Sequence, residues 1–288
     1  MKALIFGGAG QLGRALQDCA GERWQFDAVD LPECDIGDEA AVQARIARSD
    51  ADIIINAAAY TAVDKAESEP ELAQRINGDA PGYMARAAAE AGKGFVHIST
   101  DFVFGDGYDA PIAPDAVPSP LSVYGATKWA GERNVQAAMP DALIIRTSWV
   151  YAAAGANFVL TMLRLMKERS ELSVVADQMG SPTLARDLAG AVLALAQAKA
   201  AGLYHYTNEG VCSWHEFAVA IGEEALAAGL LDTMPVIHPI PTTGYPTPAR
   251  RPAYSVLDKA ATWEKLGEPA RHWRGALHET ILEIQNNG

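Results

Sequence analysis

A tyrosine and a lysine four residues apart stand in the run Tyr124-Gly125-Ala126-Thr127-Lys128. On a helix this spacing puts both side chains on one face, one turn apart. A free phenol is a weak acid, with a pKa of about 10. An ammonium beside it stabilises the phenolate and lowers that value. Together they can hand a proton to a carbonyl oxygen while a hydride reaches its carbon. A bare Tyr-x-x-x-Lys arises often by chance as an ordinary surface pair, so its meaning depends on what surrounds it.

Other groups with matching chemistry lie nearby in the chain. Thr100 and Asp101 end an apolar run, Gly94 to Ser99, that reads as a strand. The carboxyl end of a parallel strand is where ligands bind. Thr100 can hydrogen-bond a substrate carbonyl and polarise it, and Asp101 can hold a substrate hydroxyl; either can instead cap the strand-to-loop transition. Trp149 follows the apolar run 143–148 and can stack on a sugar face or belong to the core. Arg250 and Arg251 can neutralise a diphosphate by bidentate hydrogen bonding, or form an exposed basic surface.

These groups need a scaffold that also brings a hydride. Lys2 to Phe6 reads as a buried strand, followed by glycines at 7, 10 and 13 and then a helix. Strand, glycine turn and helix make the dinucleotide-binding layout. Glycines let backbone approach a pyrophosphate, and a helix N-terminus supplies N–H donors. Asp30 closes a second strand from Trp24 to Val29, roughly 20 residues past the glycines, where it can accept from a ribose hydroxyl. That favours NADH, while Arg14 could meet a 2′-phosphate and keeps NADPH open. Asp35 and Ile36 can hold the adenine. Ile53 to Asn56 is a third strand, and the small residues of Ala57-Ala58-Ala59-Tyr60-Thr61 permit close approach to a flat ligand.

The remaining pattern predicts a helix from Glu39 to Arg48 capped by Asp38, one long helix over 70–91, and a loop over the site from Gly105 to Pro120. Asn77 reads as structural, and Lys65 and Glu67 as a solvated face. Helices are expected over 157–167, 185–198, 214–228 and 272–286, with a strand over 202–207. This alternation predicts an α/β protein with a Rossmann-like, doubly wound parallel sheet.

Composition narrows the class further. The chain has 288 residues, 49% hydrophobic and 20% charged, and a net charge of −13. That charge argues against nucleic acid and anionic membranes as partners. No apolar stretch is long enough to span a bilayer. The first residues run straight into the glycines without a signal-peptide core. Three scattered cysteines without metal spacing fit a reduced, cytoplasmic protein.

With these residues laid out, the chain resembles the extended short-chain dehydrogenase/reductase superfamily, and within it the dTDP-4-dehydrorhamnose reductases. The resemblance covers nearly the whole chain. It is carried by Gly7-x-x-Gly10-Gln11-Leu12-Gly13, Asn56 to Glu67, Ser99 to Phe104, and Tyr124-Gly125-x-Thr127-Lys128-x-x-Gly131-Glu132. Arg146 to Tyr151, Asp177-Gln178-x-Gly180-Ser181-Pro182-Thr183 and Arg251-Pro252 before Ser255 complete the series. The resemblance implies hydride transfer from NADH or NADPH to C4 of dTDP-4-dehydro-6-deoxy-L-mannose, giving dTDP-L-rhamnose for cell-surface polysaccharide. Tyr124 would be the proton donor, Lys128 would bind the nicotinamide ribose, and Thr100 would polarise the ketone. Gly10, Gln11 and Leu12 would face the pyrophosphate, Asp30, Asp35 and Ile36 the adenosine, and Ala59, Tyr60 and Thr61 the route to the nicotinamide. Asp101 would orient the sugar, and Trp149 would stack on it.

A cofactor domain is expected over 1–148 with a return at 184–207. A smaller α/β sugar-nucleotide domain is expected over 149–183 and 208–288, with the site between them. Some relatives dimerise around magnesium held by glutamates. The matching positions here are Ala15, Arg186 and Glu283, so the expectation is no magnesium site, and a monomer or a metal-independent dimer. Rival readings are an epimerase or dehydratase of the same superfamily, a non-catalytic regulatory subunit of the methionine adenosyltransferase type, and a nucleotide-binding sensor. The intact Thr100, Tyr124 and Lys128 set argues for the enzyme.

Overall fold

Short runs of Ile, Val, Leu and Phe with both faces buried form the centre of the molecule, as expected for parallel strands covered on two sides. The computed structural model describes residues 1–19, 21 and 23–287. Its elements begin with β1 (Lys2–Phe6), α1 (Gln11–Asp18), β2 (Gln25–Val29), α2 (Glu39–Arg48) and β3 (Ile53–Asn56). Then come α3 (Val63–Ala66), α4 (Pro70–Ala73), a π-helical stretch Gln74–Asp79, α5 (Ala80–Glu90) and β4 (Gly94–Thr100). After a long loop follow α6 (Val123–Ala138), β5 (Leu143–Thr147), β6 (Val150–Tyr151), α7 (Phe158–Glu168), β7 (Glu171–Val175), β8 (Met179–Gly180) and β9 (Thr183–Leu184). The last part holds α8 (Ala185–Gln197), β10 (Gly202–His205), β11 (Cys212–Ser213), α9 (Trp214–Ala227), β12 (Val236–Ile240), α10 (Ala260–Leu266) and α11 (Trp273–Asn287).

Six strands make one parallel sheet in the order β10-β5-β4-β3-β1-β2. Alternate residues feed opposite cores. Ile5, Ile55, Val96 and Ile145 pack with α1 and α8 on one side. Phe6, Ile54, Phe95 and Ile144 pack with residues of α2 and α5 on the other. The strand order reverses between β1 and β3, which opens a crevice at their carboxyl ends. Gly7 sits at its floor with φ of +86°. A Cβ there would lie 2.6 Å from the Ala58 nitrogen, so only glycine lets the two turns meet this closely.

A further core joins α7, α9 and α11 around Phe217, with Met162, Leu172, Ile221 and Leu277. Part of 208–288 departs from the expected grouping. Helix α10 packs on α8 and β10, and Leu266 joins the core on the sheet side.

The expected single helix over 70–91 is interrupted by the π-helical stretch. Alanine-rich periodicity is the same before and after it, so one extra residue per turn leaves little trace in the pattern. The six strands of the main sheet start or stop within one or two residues of the expected bounds, whereas β6, β7, β8, β9, β11 and β12 have no counterpart in the expected pattern. Asp38 caps α2 by accepting from Ala40 N and Ala41 N.

Candidate active site

Two close backbone contacts place the tyrosine helix. Strand β4 ends at Thr100, whose Oγ1 accepts from Phe102 N at 3.2 Å and starts a 3₁₀ turn. Helix α6 presses onto that turn at Gly125, where a Cβ would lie 2.1 Å from the Phe102 carbonyl oxygen. It presses onto the π-helical stretch at Gly131, where a Cβ would lie 2.2 Å from the Asn77 carbonyl oxygen. Ser122 Oγ accepts from Gly125 N at 3.2 Å, and Glu67 Oε1 accepts from Val123 N at 2.8 Å. Glu67 is thus an anchor for the start of α6 and not the solvated face the sequence suggested.

The helix delivers Tyr124, Lys128 and Glu132 along one face, all buried. The Tyr124 ring meets Phe102 edge-on at 5.4 Å. Burial pushes the phenol up to about 12, the nearby Thr100 hydroxyl pulls it partly back, and the Asp101 charge adds to the rise. The expectation that Lys128 lowers this value is corrected. Lys128 Nζ turns to the sheet and donates to the Ile98 carbonyl at 2.7 Å. Desolvation lowers its own pKa to about 8, with the Glu132 charge opposing. Burial sets the sign of the Tyr124 shift, and the Lys128 ammonium does not offset it.

Below the pair, Glu132 accepts from Arg146 twice, Nε to Oε1 at 2.8 Å and Nη2 to Oε2 at 2.7 Å. Both side chains are 3% exposed. Ser99 Oγ also donates to this carboxylate.

Asp101 adjoins Thr100. Its Oδ1 accepts from Thr100 Oγ1 at 3.0 Å. Its Oδ2 is buried without a hydrogen-bond partner of normal geometry. Burial raises the carboxyl pKa to about 6, and the neighbouring Ser255 and Thr100 hydroxyls oppose the rise. An unpartnered buried acceptor facing a cleft is suited to a ligand hydroxyl.

The crevice fits a dinucleotide. Helix α1 begins after Gly10 with no side-chain cap and no acid in its first turn, leaving N–H groups for a pyrophosphate. A Cβ at Gly13 would lie 2.1 Å from the Gly7 carbonyl oxygen, so the turn closes only with glycine there. Leu12 is buried in the core, so only its backbone can meet a phosphate. Gln11 has its side chain committed: Oε1 accepts from Asn157 Nδ2 at 2.9 Å. Asp30 accepts from Ala9 N at 3.0 Å and Leu31 N at 2.9 Å, which sets its carboxylate beside the glycine turn. Asp35 accepts from Gly37 N at 2.8 Å, and Arg75 lies 3.8 Å away. Ile36 is half-buried next to it. Across the crevice run half-buried Ala59 and Tyr60 and exposed Thr61. The Tyr60 hydroxyl turns away and donates to Glu69 Oε2 at 2.7 Å. Its backbone is held by Asn77, a residue the sequence marked only as structural.

Beyond Asp101 lies a narrow space of about 30 Å³, bordered by Trp149, Gln178, Trp214, Arg251 and Ser255. Trp214 and Arg251 also line a cavity of about 800 Å³ walled by Phe158, Met162, Leu172 and Val174. Trp149 stands at φ +49° and stacks on Trp214, with ring centroids 3.5 Å apart. One indole face is therefore covered, a pairing without sequence signal because the partners are 65 positions apart. Arg251 is paired with Asp64, and Arg250 with Asp106.

The three positions matching the magnesium glutamates do not fit a cation. Ala15 offers no donor, and Arg186 Nη2 donates to Glu283 Oε2 at 3.2 Å. A guanidinium already occupies the one carboxylate. Among the described residues no helix is long and apolar enough to cross a membrane.

The chain is similar to known proteins along nearly its whole length. The family model described as RmlD substrate binding domain matches residues 1–286. The dTDP-4-dehydrorhamnose reductase of Escherichia coli K12 is 45% identical, with 99% of this chain and 98% of that one covered. A crystal structure of a dTDP-4-dehydrorhamnose reductase from Clostridium acetobutylicum superposes with a TM-score of 0.93 at 40% identity, covering 99% of this chain and all of that one. The dTDP-4-dehydrorhamnose reductase of Bacillus anthracis in complex with NADP gives 0.92 at 38% identity, covering 98% and 99%. By sequence along nearly its full length and by fold, the chain belongs to the dTDP-4-dehydrorhamnose reductase family.

Proposed function

We propose that this protein reduces the C4 ketone of dTDP-4-dehydro-6-deoxy-L-mannose to dTDP-L-rhamnose, using NADH or NADPH. One observation carries the proposal. Thr100 ends β4, Tyr124 and Lys128 lie buried on the helix that packs against that strand end, and a cavity of about 800 Å³ shares Gln178, Trp214 and Arg251 with the narrow space beside Asp101. That volume suits a nucleotide-sized ligand.

A reduced dinucleotide bound in the crevice supplies the hydride. Tyr124 holds the proton that neutralises the developing alkoxide. A phenol raised to about 12 is fully protonated at neutral pH, which is the state a proton donor needs. Thr100 steadies the phenol and shares its own proton with Asp101 until a ketone oxygen replaces that acceptor. Lys128 spends one N–H on Ile98, leaving two for the nicotinamide ribose. Asp101 Oδ2 accepts from a sugar hydroxyl, and Trp149, which borders the narrow space beside Asp101, packs against the sugar. Arg251, between the narrow space and the large cavity, meets the diphosphate. In this account 1–148 with 184–207 serve the cofactor, and 149–183 with 208–288, apart from α10, serve the nucleotide sugar. The protein works as a monomer or a metal-independent dimer, in the cytoplasm.

The test is turnover of dTDP-4-dehydro-6-deoxy-L-mannose, followed by loss of reduced-nicotinamide absorbance and by identification of the product. Formation of dTDP-L-rhamnose supports the proposal. An epimerised or dehydrated product, or no oxidation of either dinucleotide, rejects it.

A further inference from the structure

Arg251 is held at its end and open along its side. Nη1 donates to Asp64 Oδ1 at 3.0 Å and Nη2 to Asp64 Oδ2 at 2.8 Å. Nη1 also donates to Thr247 Oγ1 at 2.6 Å and to the Ala249 carbonyl at 3.0 Å. Ala249 N in turn donates to Asp64 Oδ1 at 3.2 Å. Among the described residues Nε and the second Nη2 hydrogen take no partner. A guanidinium presents two bidentate edges. Here the Nη1/Nη2 edge is spent on Asp64, and the Nε/Nη2 edge is available.

Asp64 and Arg251 both line the large cavity, and Arg251 also borders the narrow space beside Asp101. Asp64 belongs to α3, whose neighbour Glu67 anchors the first turn of α6 through Val123 N. The pair spans 187 positions of sequence. It joins α3, which adjoins the Glu67 anchor of α6, with the proline-rich strap over 245–252.

From this geometry we infer that Asp64 is a positioning residue for the nucleotide sugar. It pins Arg251 so that the Nε/Nη2 edge is pre-set to receive one phosphate of a nucleoside diphosphate. This rests on the reductase proposal for the same site. A pinned arginine loses less rotamer freedom when the ligand arrives. A carboxylate that merely competed with phosphate for the same edge would act in the opposite direction.

The test compares binding of dTDP and of thymidine to wild type, Asp64→Asn and Asp64→Ala by calorimetry. Asp64→Asn keeps the shape and removes the charge; thymidine lacks the diphosphate and reports an intact nucleoside pocket. Both variants should bind dTDP about tenfold more weakly, the loss expected for a charge-assisted hydrogen bond, with thymidine binding unchanged. KM for the sugar nucleotide should rise similarly while kcat stays within about twofold. Tighter dTDP binding would show that Asp64 competes with the ligand and would overturn the inference. So would equal losses for dTDP and thymidine, or no change in either. Failure of the wild type itself to bind dTDP would instead reject the reductase proposal.

Discussion

Asn77 satisfies both main-chain polar groups of Tyr60: Oδ1 accepts from Tyr60 N at 2.8 Å, and Nδ2 donates to Tyr60 O at 3.0 Å. Asn77 lies within the π-helical stretch 74–79, a local widening common at functional sites. It is 1% exposed, so its loss cannot be repaired by bulk water. Asn77→Ala should lower stability by about 1–3 kcal/mol and weaken NADH binding by about tenfold, if the segment proposed to face the nicotinamide then loses its fixed position. Thermal melting and a dinucleotide titration check this. Asn77→Asp keeps the acceptor and should fall between.

Glu132 should matter for both stability and the pH profile. It is the only carboxylate paired with Arg146 among the described ion pairs, and neither side chain reaches solvent. Glu132→Ala leaves a buried guanidinium uncompensated and should cost about 3–5 kcal/mol in denaturant unfolding. The milder Glu132→Gln also removes the charge that holds up the Lys128 pKa. Its alkaline loss of activity should therefore begin at lower pH than in wild type.

The pH dependence of the wild type follows from two groups. Lys128 is lowered to about 8, so it loses its proton, and its hold on the ribose weakens, as pH rises past that value. Asp101 is raised to about 6, so it becomes protonated and a poorer acceptor below it. The profile of kcat/KM should be bell-shaped between these limits, with Tyr124 protonated throughout. The Asp101 shift also bears on stability. Its folded pKa lies above the unfolded value near 3.8, so its contribution is fully favourable below that value and is lost as pH rises through 6. Asp101→Asn should stabilise the protein by up to about 3 kcal/mol at pH 7 and lose that advantage near pH 4, at the expense of sugar binding.

Much of this site could be read from sequence because its parts are local. The glycine turn, the Thr100–Asp101 strand end and the Tyr124–Lys128 helix face each depend on a few adjacent residues and a regular period. What could not be read depends on long-range placement. The Trp149–Trp214 stack, the Asp64–Arg251 clasp and the Asn77 clamp join residues far apart in the chain, and no periodicity encodes their partners. The sign of the Tyr124 shift was hidden for a different reason. Spacing put Lys128 on the correct face but did not reveal that Ile98 would draw its ammonium to the sheet. Glu67 looked like one more charge on a polar turn until the start of α6 was seen resting on it.

Asp30 should set the balance between the two dinucleotides. Its carboxylate is fixed beside the glycine turn by Ala9 N and Leu31 N, a position proposed to accept a ribose hydroxyl and to repel a 2′-phosphate. Wild type should favour NADH in kcat/KM. Asp30→Asn should shift the NADPH/NADH ratio towards NADPH by about tenfold, since one nearby like charge is removed. Steady-state rates with each dinucleotide check this.

The proposed role of Tyr124 as proton donor is tested most directly by Tyr124→Phe, assayed with dTDP-4-dehydro-6-deoxy-L-mannose and reduced nicotinamide. The variant should fold and bind NADH as wild type does, while kcat falls by about 10²–10⁴-fold. Turnover by Tyr124→Phe within a few-fold of wild type would contradict the account, because the hydroxyl would then not be the source of the proton.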